Sequence, residues 1–172
     1  MAIIEVNTER LRLIAADKRM AEFEIKNRNY LSKYLTLAIP EDWPPPLNDE
    51  NSLKWFLDFL KRNPAGAGWG MWYFSHKEDK TLIGNGGFKG FPDNRGDVEL
   101  GYSILPAYQK KGYATEAVSG LINWAFSNDK VQRIIADTLP ELQASINVLQ
   151  KSGFDFAGEG DEMGTIRFIL EK

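Results

Sequence analysis

Residues 101–126, GYSILPAYQKKGYATEAVSGLINWAF, change hydrophobic period midway. Up to the change, Val98, Leu100, Tyr102 and Ile104 alternate with Glu99, Gly101 and Ser103, the two-residue period of a half-buried strand. Beyond it, Ala114, Ala117, Val118, Leu121, Ile122 and Ala125 recur at helical spacing and make one helix face apolar. Gln109-Lys110-Lys111-Gly112-Tyr113-Ala114 joins the two. A helix start has free amide N–H groups and the positive end of a dipole, and Gly112 lets a ligand approach the backbone. With Lys110 and Lys111 beside it, the turn suits a phosphate or pyrophosphate.

Working towards the N-terminus, Pro92 to Asp97 forms a turn, and Thr81 to Phe91 reads as a strand. Its Gly84, Gly86, Gly87 and Gly90 point to a bulge or the close approach of another backbone. Gly84-x-Gly86 lacks the further glycine of a dinucleotide fingerprint, because Lys89 stands there, and a strand rather than a helix follows. The Gln109 turn also lacks the spacing of a nucleotide-triphosphate loop. Trp69 to Ser75 is an aromatic strand, and the charged Ser75-His76-Lys77-Glu78-Asp79-Lys80 reads as an exposed hairpin loop. Leu53, Phe56, Leu57 and Leu60 mark a helix that follows Asp49 and stops before Pro64. Residues 39–46 contain three consecutive prolines and form a stiff loop. Asp17 caps a helix, interrupted or continuous, reaching to Leu35, and a first strand covers residues 10–15.

Towards the C-terminus, Arg133 to Thr138 is a strand, Ser145 to Gly153 a short helix closed by glycine, and residues 154–159 and 164–170 a hairpin. The whole is a mixed α/β sheet, antiparallel in its N-terminal part, within one domain covering residues 1–172. No internal repeat is visible. The net charge of -3 argues against a nucleic-acid or anionic-membrane partner, and the absence of long apolar runs and of a leader pattern at residues 1–13 points to the cytoplasm. With no cysteine and a single histidine, the sequence offers no thiolate nucleophile, no thiolate metal site and a poor basis for a serine triad; no metal is expected.

Three stretches carry a resemblance: Thr8 to Leu13, Glu99 to Tyr102 running on through Gly112 to Ala117, and Ala144 to Phe154. They resemble the GNAT superfamily of acetyl-CoA-dependent N-acetyltransferases, in its ribosomal-protein N-terminal (Rim-type) branch. Gln109, Gly112 and Ala114 match that family's Q/R-x-x-G-x-G/A turn.

The resemblance implies a GNAT fold with splayed central strands and flanking helices. It further implies that coenzyme A pyrophosphate rests on the amides of Lys110, Lys111, Gly112, Tyr113, Ala114 and Thr115, next to Gln109. The pantetheine arm would pair with backbone groups of Ser103, Ile104 and Leu105, and the Ile104 amide would face the thioester carbonyl. Leu142 replaces a cofactor-touching asparagine, which Asn147 or Gln143 could supply, and Leu149 replaces a tyrosine acid. Ser145 either hydrogen-bonds the sulfur or caps its helix. Glu99 is the candidate base for the acceptor amine, or else pairs with a lysine. Trp43, Trp69, Trp72 and Tyr73 either wall the acceptor groove or belong to the core, Trp43 being expected as the exposed one. Direct transfer to a primary amine follows, the acceptor being a protein N-terminus or a small molecule and the enzyme a monomer or homodimer. The alternative is a non-catalytic acyl-CoA sensor of the same fold.

Overall fold

A computed structural model describes residues 3–172. Eight strands form one sheet in the order β1-β2-β3-β4-β5-β6-β8-β7. They are β1 (Glu5–Asn7), β2 (Leu11–Ala15), β3 (Met71–His76), β4 (Thr81–Phe88), β5 (Asp97–Ile104), β6 (Arg133–Thr138), β7 (Asp155–Glu159) and β8 (Ile166–Glu171). Only β5 and β6 are parallel neighbours; every other pair is antiparallel. The mixed sheet and its antiparallel N-terminal part match the sequence expectation. Strand β1 does not, because three residues around the single apolar Val6 are too few to show a period.

The helices are α1 (Lys18–Lys26), α2 (Arg28–Leu35), α3 (Glu50–Arg62), α4 (Tyr113–Phe126) and α5 (Gln143–Lys151). Asp17 accepts the Met20 amide at 2.8 Å and caps α1. The stretch to Leu35 is interrupted at Asn27, whose amide closes α1 on the Phe23 carbonyl while its side chain accepts from Asn29 to open α2. None of the helices among the described residues is long and apolar enough to cross a membrane.

Alternation along β3 decides which helices cover which face. Trp72 points to α4, its ring 5.0 Å from that of Trp124, whereas the neighbouring Tyr73 points the other way and donates to Glu24 of α1. The glycines of β4 serve close approach, as their spacing suggested: a Cβ at Gly87 would lie 2.0 Å from the Gly70 carbonyl oxygen.

One loop expectation fails. His76 is the last residue of β3, not part of an exposed hairpin, and is only 7% exposed. It shares a face with Trp72 and Phe74, so the two-residue period carries it into the interior despite its charged neighbours. Its Nδ1 accepts the Asp79 amide at 3.2 Å, and Nε2 lies 3.0 Å from the Tyr113 hydroxyl at the start of α4.

Candidate active site

The site begins where the sheet divides. Strands β5 and β6 are in register only at Asp97–Arg133, Val98–Ile134 and Glu99–Ile135. Beyond Glu99, β5 stays with β4 as far as Ile104, while β6 stays with β8 as far as Thr138. A V-shaped gap opens between them, the splayed central strands that the resemblance implied. The joint is reinforced by Asp97, whose carboxylate takes two hydrogen bonds from Arg133 at 2.8 and 2.6 Å.

Which backbone groups face the gap follows from the direction of the ladder. The Glu99 carbonyl accepts the Lys89 amide at 3.0 Å, and the Leu105 amide donates to Ile83 at 2.8 Å. Successive strand residues direct their amides to opposite sides. Glu99, Gly101, Ser103 and Leu105 therefore serve β4, leaving Tyr102 and Ile104 turned towards the gap. This corrects the expectation for Ser103 and Leu105, whose backbone is committed to β4, and adds Tyr102 in their place. The signal was available, because neighbours of Ile104 cannot share its direction. The Ile104 carbonyl accepts from Gln109 Nε2 at 2.9 Å, so of its two backbone groups the amide is the one left for a ligand.

At the open end, β5 passes through a short 3-10 turn at Pro106–Tyr108 into α4. Lys110 and Gly112 adopt left-handed backbone, with φ of 61° and 83°, and Gly112 is the N-cap without any capping side chain. The first-turn amides of α4 are thus left for another acceptor. Gln109, Lys110, Gly112, Tyr113, Ala114 and Thr115 all line one cleft of about 1880 Å³ that runs along the gap. Lys111 does not. Its ammonium donates to the Ala107 carbonyl at 2.9 Å and lies over the Tyr108 ring, so its charge is held behind the turn.

The turn is pinned from the N-terminal end of the chain. Arg10 donates to the Lys111 carbonyl at 2.9 Å, stacks 4.3 Å from the Tyr113 ring and pairs with Glu116 at 2.7 Å. Glu116 also accepts from the Thr8 hydroxyl and the Arg10 amide, each at 2.6 Å. Burial pushes the Glu116 carboxyl up, but the bonds from Thr8 and Arg10 outweigh it and hold the group below its ordinary value.

The floor of the gap, on the α4 side of the sheet, joins β5 to α5. Tyr102 reaches across so that its hydroxyl lies 3.2 Å from Ser145 Oγ and 3.1 Å from the Ser145 carbonyl oxygen. Burial pushes the Tyr102 phenol up to about 12, the Ser145 bond opposing this. Ser145 is the third residue of α5, whose N-cap is Leu142, so it is not a cap. Asn147 lines the cleft, its side chain accepting from Gln143 at 2.8 Å. Leu149 is buried.

The opposite face of the sheet, towards α1, forms the other side of the cleft. The Glu99 side chain is on this face and paired with Lys89; Lys89 lines the cleft and Glu99 does not. The aromatic residues expected to wall this groove are instead core. Trp72 and Tyr73 are fully buried, the Trp72 indole donating to Gly68 at 2.8 Å. Trp69 is closed in by Phe88 and Trp124. Trp43, expected as the exposed one, is 2% exposed and donates to Glu24 at 2.7 Å. The half-buried Glu24 carboxylate, which accepts from both Trp43 and Tyr73, explains why the proline-rich loop folds inwards, and burial with the nearby Glu24 charge holds the Tyr73 phenol well above its usual range.

The groove is lined instead by Pro46, Leu47, Asn48, Met71 and Asn85. Asn85 is buried and donates to Asn48 at 3.0 Å, and the Ser103 hydroxyl donates to the Pro46 carbonyl at 2.6 Å. Asn85, a polar residue in the glycine-rich β4 run, is a sequence sign of this wall.

Residues 10–155 match the family model of the acetyltransferase (GNAT) domain. The chain belongs to this family of acetyl-CoA-dependent N-acetyltransferases. It is 31% identical over 156 residues to YjdG, an uncharacterized N-acetyltransferase of Bacillus subtilis (strain 168), with 90% of each chain covered. It is 27% identical over 150 residues to the ribosomal protein uS5 alanine N-acetyltransferase of Escherichia coli (strain K12), covering 81% of this chain and 70% of that one. Among solved structures, the RimL ribosomal-protein α-N-acetyltransferase in complex with coenzyme A superposes with a TM-score of 0.66 at 18% identity, covering 99% of this chain and 98% of that one.

Proposed function

We propose that the protein moves an acetyl group from acetyl-CoA directly to a primary amine, with both substrates bound in the cleft. The observation that carries this reading is the conjunction of an uncapped helix start at Gly112 and a gap into which the Ile104 amide points. The first suits a pyrophosphate; the second suits an extended arm ending in a thioester. Acetyl-CoA supplies an activated acyl group, and the chain supplies the geometry.

In this reading the amides of residues 110–115 hold the pyrophosphate, with Gln109 fixing the strand end and Asn147 bordering the arm. Tyr102 and Ile104 pair with the arm like a neighbouring strand. The Ile104 amide meets the oxyanion that forms on attack, and such a donor is worth about 2.7–4 kcal/mol in the transition state. The amine must be neutral to attack. Glu99, on the acceptor face, takes its proton directly or through water, and Lys89 must yield its pair when it does. A protein N-terminal α-amine is the favoured acceptor: its reference pKa of about 7.7–8.0, against about 10.4 for lysine, demands less of a paired base. The names of the ribosomal-protein relatives point the same way.

The test is thiol release from acetyl-CoA across a panel of free α-amino peptides, lysine side-chain peptides and small amines. Acetylation of at least one α-amino peptide is expected, with Glu99→Gln slowing it most at low pH and leaving acetyl-CoA affinity intact. Tight acetyl-CoA binding without release for any amine would identify a sensor module instead.

A further inference from the structure

The proposed transfer leaves a thiolate at the gap, and the following inference rests on that reading. Helix α5 offers no acid from position 149, because Leu149 is apolar and buried in the core. Two hydroxyls nevertheless stand at the floor, Tyr102 from β5 and Ser145 from α5, 3.2 Å apart and both lining the cleft. Tyr102 also lies 3.1 Å from the Ser145 carbonyl. That carbonyl already has the Leu149 amide as its helical partner, so the phenolic proton is not needed there. Two hydroxyls carry two protons. One closes the bond between them, and the other is available to a third atom.

We infer that Tyr102, oriented by Ser145, is a catalytic residue that donates a hydrogen bond to the sulfur of the departing coenzyme A. The amine lone pair forms the C–N bond, and the C–S bond breaks with its electron pair passing to sulfur. The surplus amine proton goes to Glu99 or water, and the thiolate later takes a proton from solvent. Tyr102 therefore ends the cycle protonated. Its phenol suits that role: raised to about 12 by burial, it remains a donor where an ordinary thiol, near about 8.5, has ionised. Around the cleft on this side, the charged groups are Lys89 just after β4, Asp137 on β6, Lys110 in the turn, Lys151 on α5 and Glu162 between β7 and β8; Glu24, Arg28, Asp49, Glu50 and Lys54 line it from the region of α1 to α3. Lys89 is paired with Glu99 and Asp137 with Arg167.

The experiment needs no acceptor. Coenzyme A with a free thiol, and separately acetyl-CoA, are titrated calorimetrically into the wild type, Tyr102→Phe and Ser145→Ala from about pH 7 to about pH 10. In the wild type, affinity for coenzyme A relative to acetyl-CoA should rise about tenfold as the thiol ionises, a bound pKa about one unit below that of the free thiol. Tyr102→Phe should flatten this rise in the ratio of the two affinities, and Ser145→Ala should reduce it. A flat wild-type curve, or a full rise in Tyr102→Phe, overturns the inference. Should Tyr102→Phe lose acetyl-CoA binding altogether, the Ser145→Ala curve decides, and a full rise there overturns the pair. A wild type that does not bind acetyl-CoA overturns the proposed function itself.

Discussion

At Gly112 the backbone is left-handed, with φ of 83°, and a Cβ would stand 3.3 Å from an Arg10 nitrogen. Gly112→Asp combines about 1–2 kcal/mol of backbone strain with a carboxylate at the proposed pyrophosphate seat. Calorimetry should show acetyl-CoA affinity weakened about tenfold or more. This residue was legible in the sequence because its role is local, set by the strand before it and the helix after it. Trp43 was not, since its indole partner Glu24 lies on α1, away from the proline-rich loop in sequence, and only folding brings the two to 2.7 Å. Tyr102 was half legible. Its period placed it on the strand, but the hydroxyl that meets it belongs to Ser145, which is remote in sequence.

Among the elements, α4 is held at its first turn by Glu116, which accepts from the Thr8 hydroxyl and from the amide and guanidinium of Arg10. Glu116→Gln should lower stability by about 1.5–3 kcal/mol, the range for hydrogen bonds to a charged group. The folded carboxyl is held below its ordinary value, so its contribution is fully present above the unfolded pKa of about 4.3 and fades as pH falls through the folded one. Urea unfolding should show the whole difference at about pH 7 and little of it at about pH 3. Elements with several periods of alternation, such as β5 and α4, could be read from sequence. Strand β1 is three residues long and acquires its meaning only from pairing Val6 with Leu13.

Taken whole, the molecule is two half-sheets, β1–β5 and β6–β8, in register across only three residue pairs. A ligand lying in the gap would supply the ladder partner that Tyr102 and Ile104 lack. Hydrogen exchange read by NMR should therefore slow most at those two amides when acetyl-CoA is added, by up to about a hundredfold at about 100 Kd of ligand. Ser103, already facing β4, should change less; equal change at Ser103 would mean general tightening and not occupation of the gap.

The position of His76 gives the protein a reporter of its own. It is the only histidine in the chain, and its Nε2 stands 3.0 Å from the hydroxyl of Tyr113, which opens α4 directly after Gly112. An unlabelled sample carries a single imidazole, so the ring's proton resonances belong to one residue without assignment by mutation. Those resonances look at the back of the turn proposed to seat the phosphate, from inside the core.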